Sequence, residues 1–150
     1  MKQEEDKRNN SRGRRVLVTH DRLAGGAVEL LQAHDVDVIF SPAYSPPDQV
    51  AARVAEYEVD ALIVRQGKVT QSVIDASPRL RVIAKHGVGV ANIDLHAAGA
   101  RNIPVVRGMG SNSRAVAELT ITLALALLKE VPWLDAAVKR GAWPKPTFLG

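Results

Sequence analysis

From Arg15 onward, short β-branched runs alternate with stretches of helical period. Val16-Leu17-Val18-Thr19 reads as a buried strand that ends at His20-Asp21. Residues 23 to 34, LAGGAVELLQAH, then place Leu23, Ala27, Leu30 and Leu31 at helical spacing. Val36 to Phe40 predicts a second strand, closed by Ser41-Pro42. PPDQVAARVAEY opens on prolines, which the first turn of a helix tolerates, and lines Val50, Val54 and Tyr57 along one face. Residues 61–64, 82–84 and 104–106 predict three further strands. VTQSVIDASP, between the third and fourth, predicts a short helix that stops before Pro78, and LHAAGAR winds into another after the fourth.

Strands with apolar cores alternating with helices indicate a parallel sheet covered on both faces. Right-handed crossovers then lead to an α/β, open, doubly wound sheet of about five strands. Functional residues in such sheets gather at the carboxyl ends of the strands. Here those ends carry His20-Asp21, Ser41, Arg65-Gln66-Gly67, Lys85-His86-Gly87 and Arg107-Gly108.

The last segment has a different pattern. Ser111-Asn112-Ser113 offers cap residues, and RAVAELTITLALALLKEV then reads as one long helix, nearly apolar all round from Leu119 to Leu128. It is too short to span a bilayer and is interrupted by Glu118, Thr120 and Thr122, so no membrane role is expected. A helix without a polar face requires cover on every side. A small five-stranded domain covers one side, so a partner surface is expected.

Composition narrows the class. With 46% apolar and 24% charged residues, the 150-residue chain is that of a soluble globular domain, and with few aromatics its core must be aliphatic. The net charge of +4 is concentrated in MKQEEDKRNNSRGRR, which holds six basic and three acidic residues. Residues 1–14 have no apolar side chain after Met1 and predict a disordered, solvated arm, so nucleic acid is not the expected partner. There is no cysteine, which excludes disulfides and cysteine-ligated metal sites, and no metal site is expected. The arm lacks the apolar stretch of a secretory signal, and a cytoplasmic location is the expectation.

Candidate chemistry centres on KHGVGVANID, residues 85–94. A dinucleotide fingerprint requires G-x-G-x-x-G and an acidic residue about 20 positions on. The third glycine position is Asn92, and the next strand ends at Arg107, so a pyrophosphate cradle is disfavoured. Two glycines still let the backbone approach a ligand and turn amides toward it. With Lys85 before them and Arg65 on the neighbouring strand, the loop suits a small carboxylate, and the bland alternative is a pair of solvated strand ends. His86 lacks a visible carboxylate partner and reads as structural.

KHGVGVANID, the strand NIPVVRG and then SNSRAVAELTITLALALLK together resemble the N-terminal half of D-isomer-specific 2-hydroxyacid dehydrogenases, nearest the phosphoglycerate dehydrogenase-like branch. The resemblance covers residues 15 to 150. It implies a flavodoxin-like substrate-binding domain over 15–110. Residues 111–150 would be the interdomain helix and the start of a crossover to a nucleotide-binding domain. The long apolar helix would pack on that domain, which lies outside these residues, and at a dimer interface. By resemblance, Val88 and Gly89 would hold the substrate carboxylate, Val88 would also touch the nicotinamide, and Arg65, Gln66, Lys85 and Asn112 would contact the substrate. Gln66 stands where the family has Ser, Ala91 where it usually has Asp, and Met109 near a usual Pro.

The implied function is the substrate-binding part of an oxidoreductase that uses NAD or NADP on the CH–OH group of D-2-hydroxy acids, reducing 2-keto acids. No catalytic residue of the family falls within the chain, so an inactive fragment of a homo-oligomer, a dimer, is expected. The rival expectation is a non-catalytic carboxylate-binding or regulatory module of the same fold. A third, polyanion binding through the basic arm, would require strong salt dependence.

Overall fold

The computed structural model describes residues 13–144. They form two compact units, divided between Met109 and Gly110. In the first unit the strands are β1 (Arg14–Val18), β2 (Val36–Phe40), β3 (Ala61–Val64), β4 (Val82–Lys85) and β5 (Val105–Arg107). Between them run α1 (Gly25–Ala33), α2 (Pro47–Tyr57), α3 (Gln71–Asp75) and α4 (Leu95–Ala100). The expected arm lies, up to residue 12, outside the described residues, and Arg14 already belongs to β1.

All pairings are parallel, in the order β2-β1-β3-β4-β5, which is the flavodoxin-like order. The register places Ile39, Leu17, Leu62, Ile83 and Val105 in one row across all five strands. Leu17, Leu62 and Ile83 are fully buried there against Val50 and Val54 of α2, Val73 and Ile74 of α3, and Ala97 and Ala98 of α4. That face is the core. The neighbouring row, Phe40, Val18, Ile63, Ala84 and Val106, points the other way. Cover on both faces was expected, and on this face burial falls from Val18, fully buried, to Val106, 51% exposed. Right-handed crossovers explain the asymmetry, because α2, α3 and α4 follow steps in one direction across the sheet and α1 alone follows a step in the other.

Local departures from the sequence reading have simple causes. Leu30 of α1 faces solvent at 62% exposure, since a helix at the β2 edge buries only a narrow stripe. The fifth strand begins at Val105, one residue later than expected: Pro104 has no N–H for the ladder and contributes only its carbonyl, to Ile83 N at 3.0 Å. At the amino ends of the strands Asp60 accepts from Arg15 N at 2.9 Å and from Arg79 Nη2 at 3.0 Å. These charges are structural and lie at the end of the sheet opposite the glycine loop.

The second unit consists of α5 (Ser113–Leu128) and α6 (Val131–Lys139). The single helix expected over 114–131 ends early. Glu130 adopts φ 50°, and Pro132 in the first turn of α6 cannot donate back to the preceding turn. Asn112 occupies the cap of α5, but its side chain makes no capping bond. Only its carbonyl engages, accepting from Val116 N at 2.9 Å. Leu119, Ile121, Leu123, Leu125, Leu127 and Leu128 are all exposed. No helix among the described residues is long and apolar enough to cross a membrane.

Candidate functional site

The strand order reverses direction at β1, so the crevice of the sheet opens between the loops that follow β1 and β3. Thr19 closes its floor. This buried residue donates its hydroxyl to Gln66 O at 2.7 Å and accepts from Arg65 N at 3.0 Å and Gln66 N at 3.3 Å. Beyond it His20 and Asp21 face each other, Nδ1 to Oδ1 at 2.5 Å.

Arg65 follows β3 directly, and its Nη1 donates to Arg22 O at 2.6 Å, which draws the guanidinium over the loop after β1. Lys85 ends β4, in register with Val64 on one side and Arg107 on the other. Its Nζ donates to Arg65 O at 3.2 Å. Partial burial lowers the Lys85 pKa from the usual lysine range, because desolvation penalises the ammonium. An anion beside it would reverse that penalty.

The glycine loop continues from β4. His86 N prolongs the ladder to Val64 O at 3.0 Å, while its side chain is exposed. Gly87 has φ 130°, a conformation that side chains rarely adopt, and its carbonyl accepts from Gly108 N at 3.1 Å. A Cβ built at Gly89 would meet nothing within 4 Å. Among the described residues no acceptor takes the N–H of Val88 or Gly89. Val88 itself is 37% exposed. Two free amides on the loop that follows a lysine offer donors to a carboxylate oxygen.

Asn92 explains why the loop is not a phosphate cradle. Its Nδ2 donates to Gly67 O at 2.6 Å and its carbonyl accepts from Val69 N at 2.8 Å. The side chain at the third fingerprint position is therefore a brace between the loops after β3 and β4. Gly67, at φ 77°, lies against Ser45 O and Tyr44, tying in the loop after β2 as well.

Of the expected residues, Arg65, Gln66, Lys85, Val88 and Gly89 fall on the carboxyl ends of adjacent strands. Asn112 stands at the cap of α5 in the other unit. Sequence reasoning missed Thr19 and Asn92. Thr19 closes an apolar strand and Asn92 sits in a loop, and neither position announces its long-range bonds. No cluster of three metal-ligating side chains occurs among the described residues.

The chain is similar in sequence and fold to known proteins. Residues 16–142 match the model of the D-isomer specific 2-hydroxyacid dehydrogenase catalytic domain. A D-3-phosphoglycerate dehydrogenase of Archaeoglobus fulgidus is 36% identical over 137 residues, 91% of this chain and 25% of that protein. The crystal structure of a Thermus thermophilus protein superposes with a TM-score of 0.78 at 33% identity, over 91% of this chain and 44% of that one. A 3-phosphoglycerate dehydrogenase of Entamoeba histolytica with NAD+ bound gives 0.66 at 27% identity, over 77% and 39%. The chain thus spans about a quarter of the curated relative and less than half of either crystal chain. The protein belongs to the D-isomer specific 2-hydroxyacid dehydrogenase family, and it matches the catalytic domain over nearly its whole length.

Proposed function

We propose that this chain is the substrate-binding part of an NAD(P)-dependent oxidoreductase acting on the CH–OH group of D-2-hydroxy acids, or on the 2-keto acids they become. The observation that carries the reading is the pair of unpartnered amides at Val88 and Gly89, on the loop that follows Lys85. The amides receive the substrate carboxylate, and the Lys85 ammonium balances its charge from the floor of the loop. Arg65 and Gln66 meet the rest of the acid from the end of β3.

NAD or NADP supplies or accepts the hydride when bound. The described residues do not build a dinucleotide site: the Asn92 side chain is occupied, and β5 ends in Arg107 where a ribose-binding acid is required. Val88 offers the nicotinamide an apolar edge and no more. The chain therefore orients the substrate, and the acid–base histidine and the carbonyl-polarising arginine belong to another domain of the complete enzyme. The exposed leucines of α5 are the surface expected to meet that domain and a second subunit. The soluble, cytoplasmic expectation belongs to the same proposal.

Calorimetric titration of the chain with pyruvate and with its neutral amide tests the carboxylate grip. The acid is expected to bind in the millimolar range and the amide not at all. Equal binding of both would overturn the reading.

A further inference from the structure

His20 and Asp21 follow β1, and the Nδ1 atom of His20 has two neighbours that make opposite demands on it. Arg22 N donates to Nδ1 at 3.1 Å, which requires a bare nitrogen. Asp21 Oδ1 stands 2.5 Å from the same atom, which requires a proton between them. In the plane of the ring a nitrogen carries either a lone pair or a proton, so the two bonds exclude each other. The carboxylate of Asp21 is 60% exposed and the imidazole 13%, so Asp21 turns to water at little cost when Nδ1 is bare.

The state of that nitrogen reaches across the crevice. Arg22 is tied to His20 through its N–H, and its carbonyl accepts from Arg65 Nη1 at 2.6 Å. The Arg22 guanidinium also lies beside Asp21, Nε to Oδ1 at 3.8 Å. Among the described residues Asp21 is the only charged group within ion-pair reach of His20. Strands β2 and β3 flank β1, and the loops after them carry Tyr44 and, on the other side, Arg65 and Lys68. The helix α1, which follows the His20 loop, adds Glu29.

We infer that His20 is a proton-operated latch on Arg65. In the neutral ring Nδ1 accepts from Arg22 N, and the loop after β1 presents the Arg22 carbonyl to the Arg65 guanidinium. In the imidazolium Nδ1–H turns to Asp21, Arg22 N loses its partner, and the peptides on either side of Arg22 are free to turn. Arg65 then loses the carbonyl that holds it over this loop. Histidine side chains change charge between about pH 5 and 8, so the latch operates in that range. The inference does not depend on what the glycine loop binds.

Heteronuclear NMR of the whole chain across that range tests it, reading the His20 ring nitrogens, the Arg22 amide and the Arg65 Nε–Hε signal. Nδ1 is expected bare at the alkaline end and protonated at the acid end. The Arg22 and Arg65 signals should shift with the same midpoint as the ring. His20→Asn keeps a side-chain acceptor for Arg22 N and has no proton to gain, so neither signal should move across the range. Nδ1 protonated at the alkaline end, an Arg65 signal that ignores the midpoint of the ring, or one that still follows pH in H20N would each overturn the inference. Should H20N fail to fold, the wild-type spectra decide by themselves.

Discussion

Thr19 and Gln66 are 47 residues apart in sequence and joined by reciprocal bonds, the hydroxyl of one to the carbonyl of the other at 2.7 Å and the amide of the second back to that hydroxyl at 3.3 Å. The pair fastens the loop after β3 to the end of β1 and sets where Arg65 and Gln66 stand. Replacing Thr19 by Val keeps the shape and strands Arg65 N and Gln66 O, while Gln66 N retains the Thr19 carbonyl at 3.4 Å. A loss of about 1–3 kcal/mol is expected, the cost of buried groups left unpaired. Urea denaturation measures it, and a change within experimental error would show that the brace is dispensable.

The glycine loop gives a more local expectation. Millimolar glyoxylate or pyruvate should shift the amide resonances of residues 86–90 and few others. Binding is weak because a small acid makes few contacts with half of a cleft. Gly89→Val should abolish the response while leaving the fold intact, since a side chain there meets no protein atom. Shifts spread evenly over the chain would count against the site.

Lys85 links the site to pH. Its folded pKa is lowered by burial, so the folded state holds its proton less firmly than the unfolded chain. Stability from this group is fully present above the unfolded value of 10.5 and is lost as pH falls through the folded value. A bound carboxylate raises the folded pKa again, so ligand binding in weak buffer between the two values should take up protons. Lys85→Met should remove both effects, and proton uptake that persists in that variant would assign it elsewhere.

The 150-residue chain alone is expected to show no dehydrogenase activity with NADH or NADPH. Asn92 and Arg107 leave its glycine loop without a phosphate grip, and an unpositioned hydride donor does not react. Cofactor oxidation by any of a panel of 2-keto acids, above a heat-inactivated control, would contradict this.

The helix α5 should make the isolated chain self-associate. Leu123 is 55% and Leu127 74% exposed. At about 25 cal/mol per Å² of apolar surface, covering two or three such leucines stabilises a contact by several kcal/mol before association costs. Leu123→Glu with Leu127→Glu should shift sedimentation toward the monomer. A wild-type chain that stays monomeric at high micromolar concentration and binds no hydrophobic dye would remove this role for the helix.

Much of the architecture follows from the sequence by itself. Val36 to Phe40 and Ala61 to Val64 are strands where their β-branched runs stand, and the alternation with helices already implies a parallel, doubly wound sheet. The ends of β3 and β4 name Arg65, Gln66, Lys85 and the glycine loop as neighbours. Only the tertiary structure decided which sheet face became the core. Leu17 and Val18 are both apolar and both fully buried, yet only the row through Leu17 lies under three helices, because crossover direction is a property of the whole sheet. The same holds for polar side chains that act at a distance. Asn92 reads as a failed glycine and Thr19 as the end of a strand until the fold brings Gly67 and Gln66 within bonding range. Asn112, a good cap by type, leaves its side chain out of the helix end. Local propensity sets each element, and the partners of a polar atom come from segments that sequence order keeps far apart.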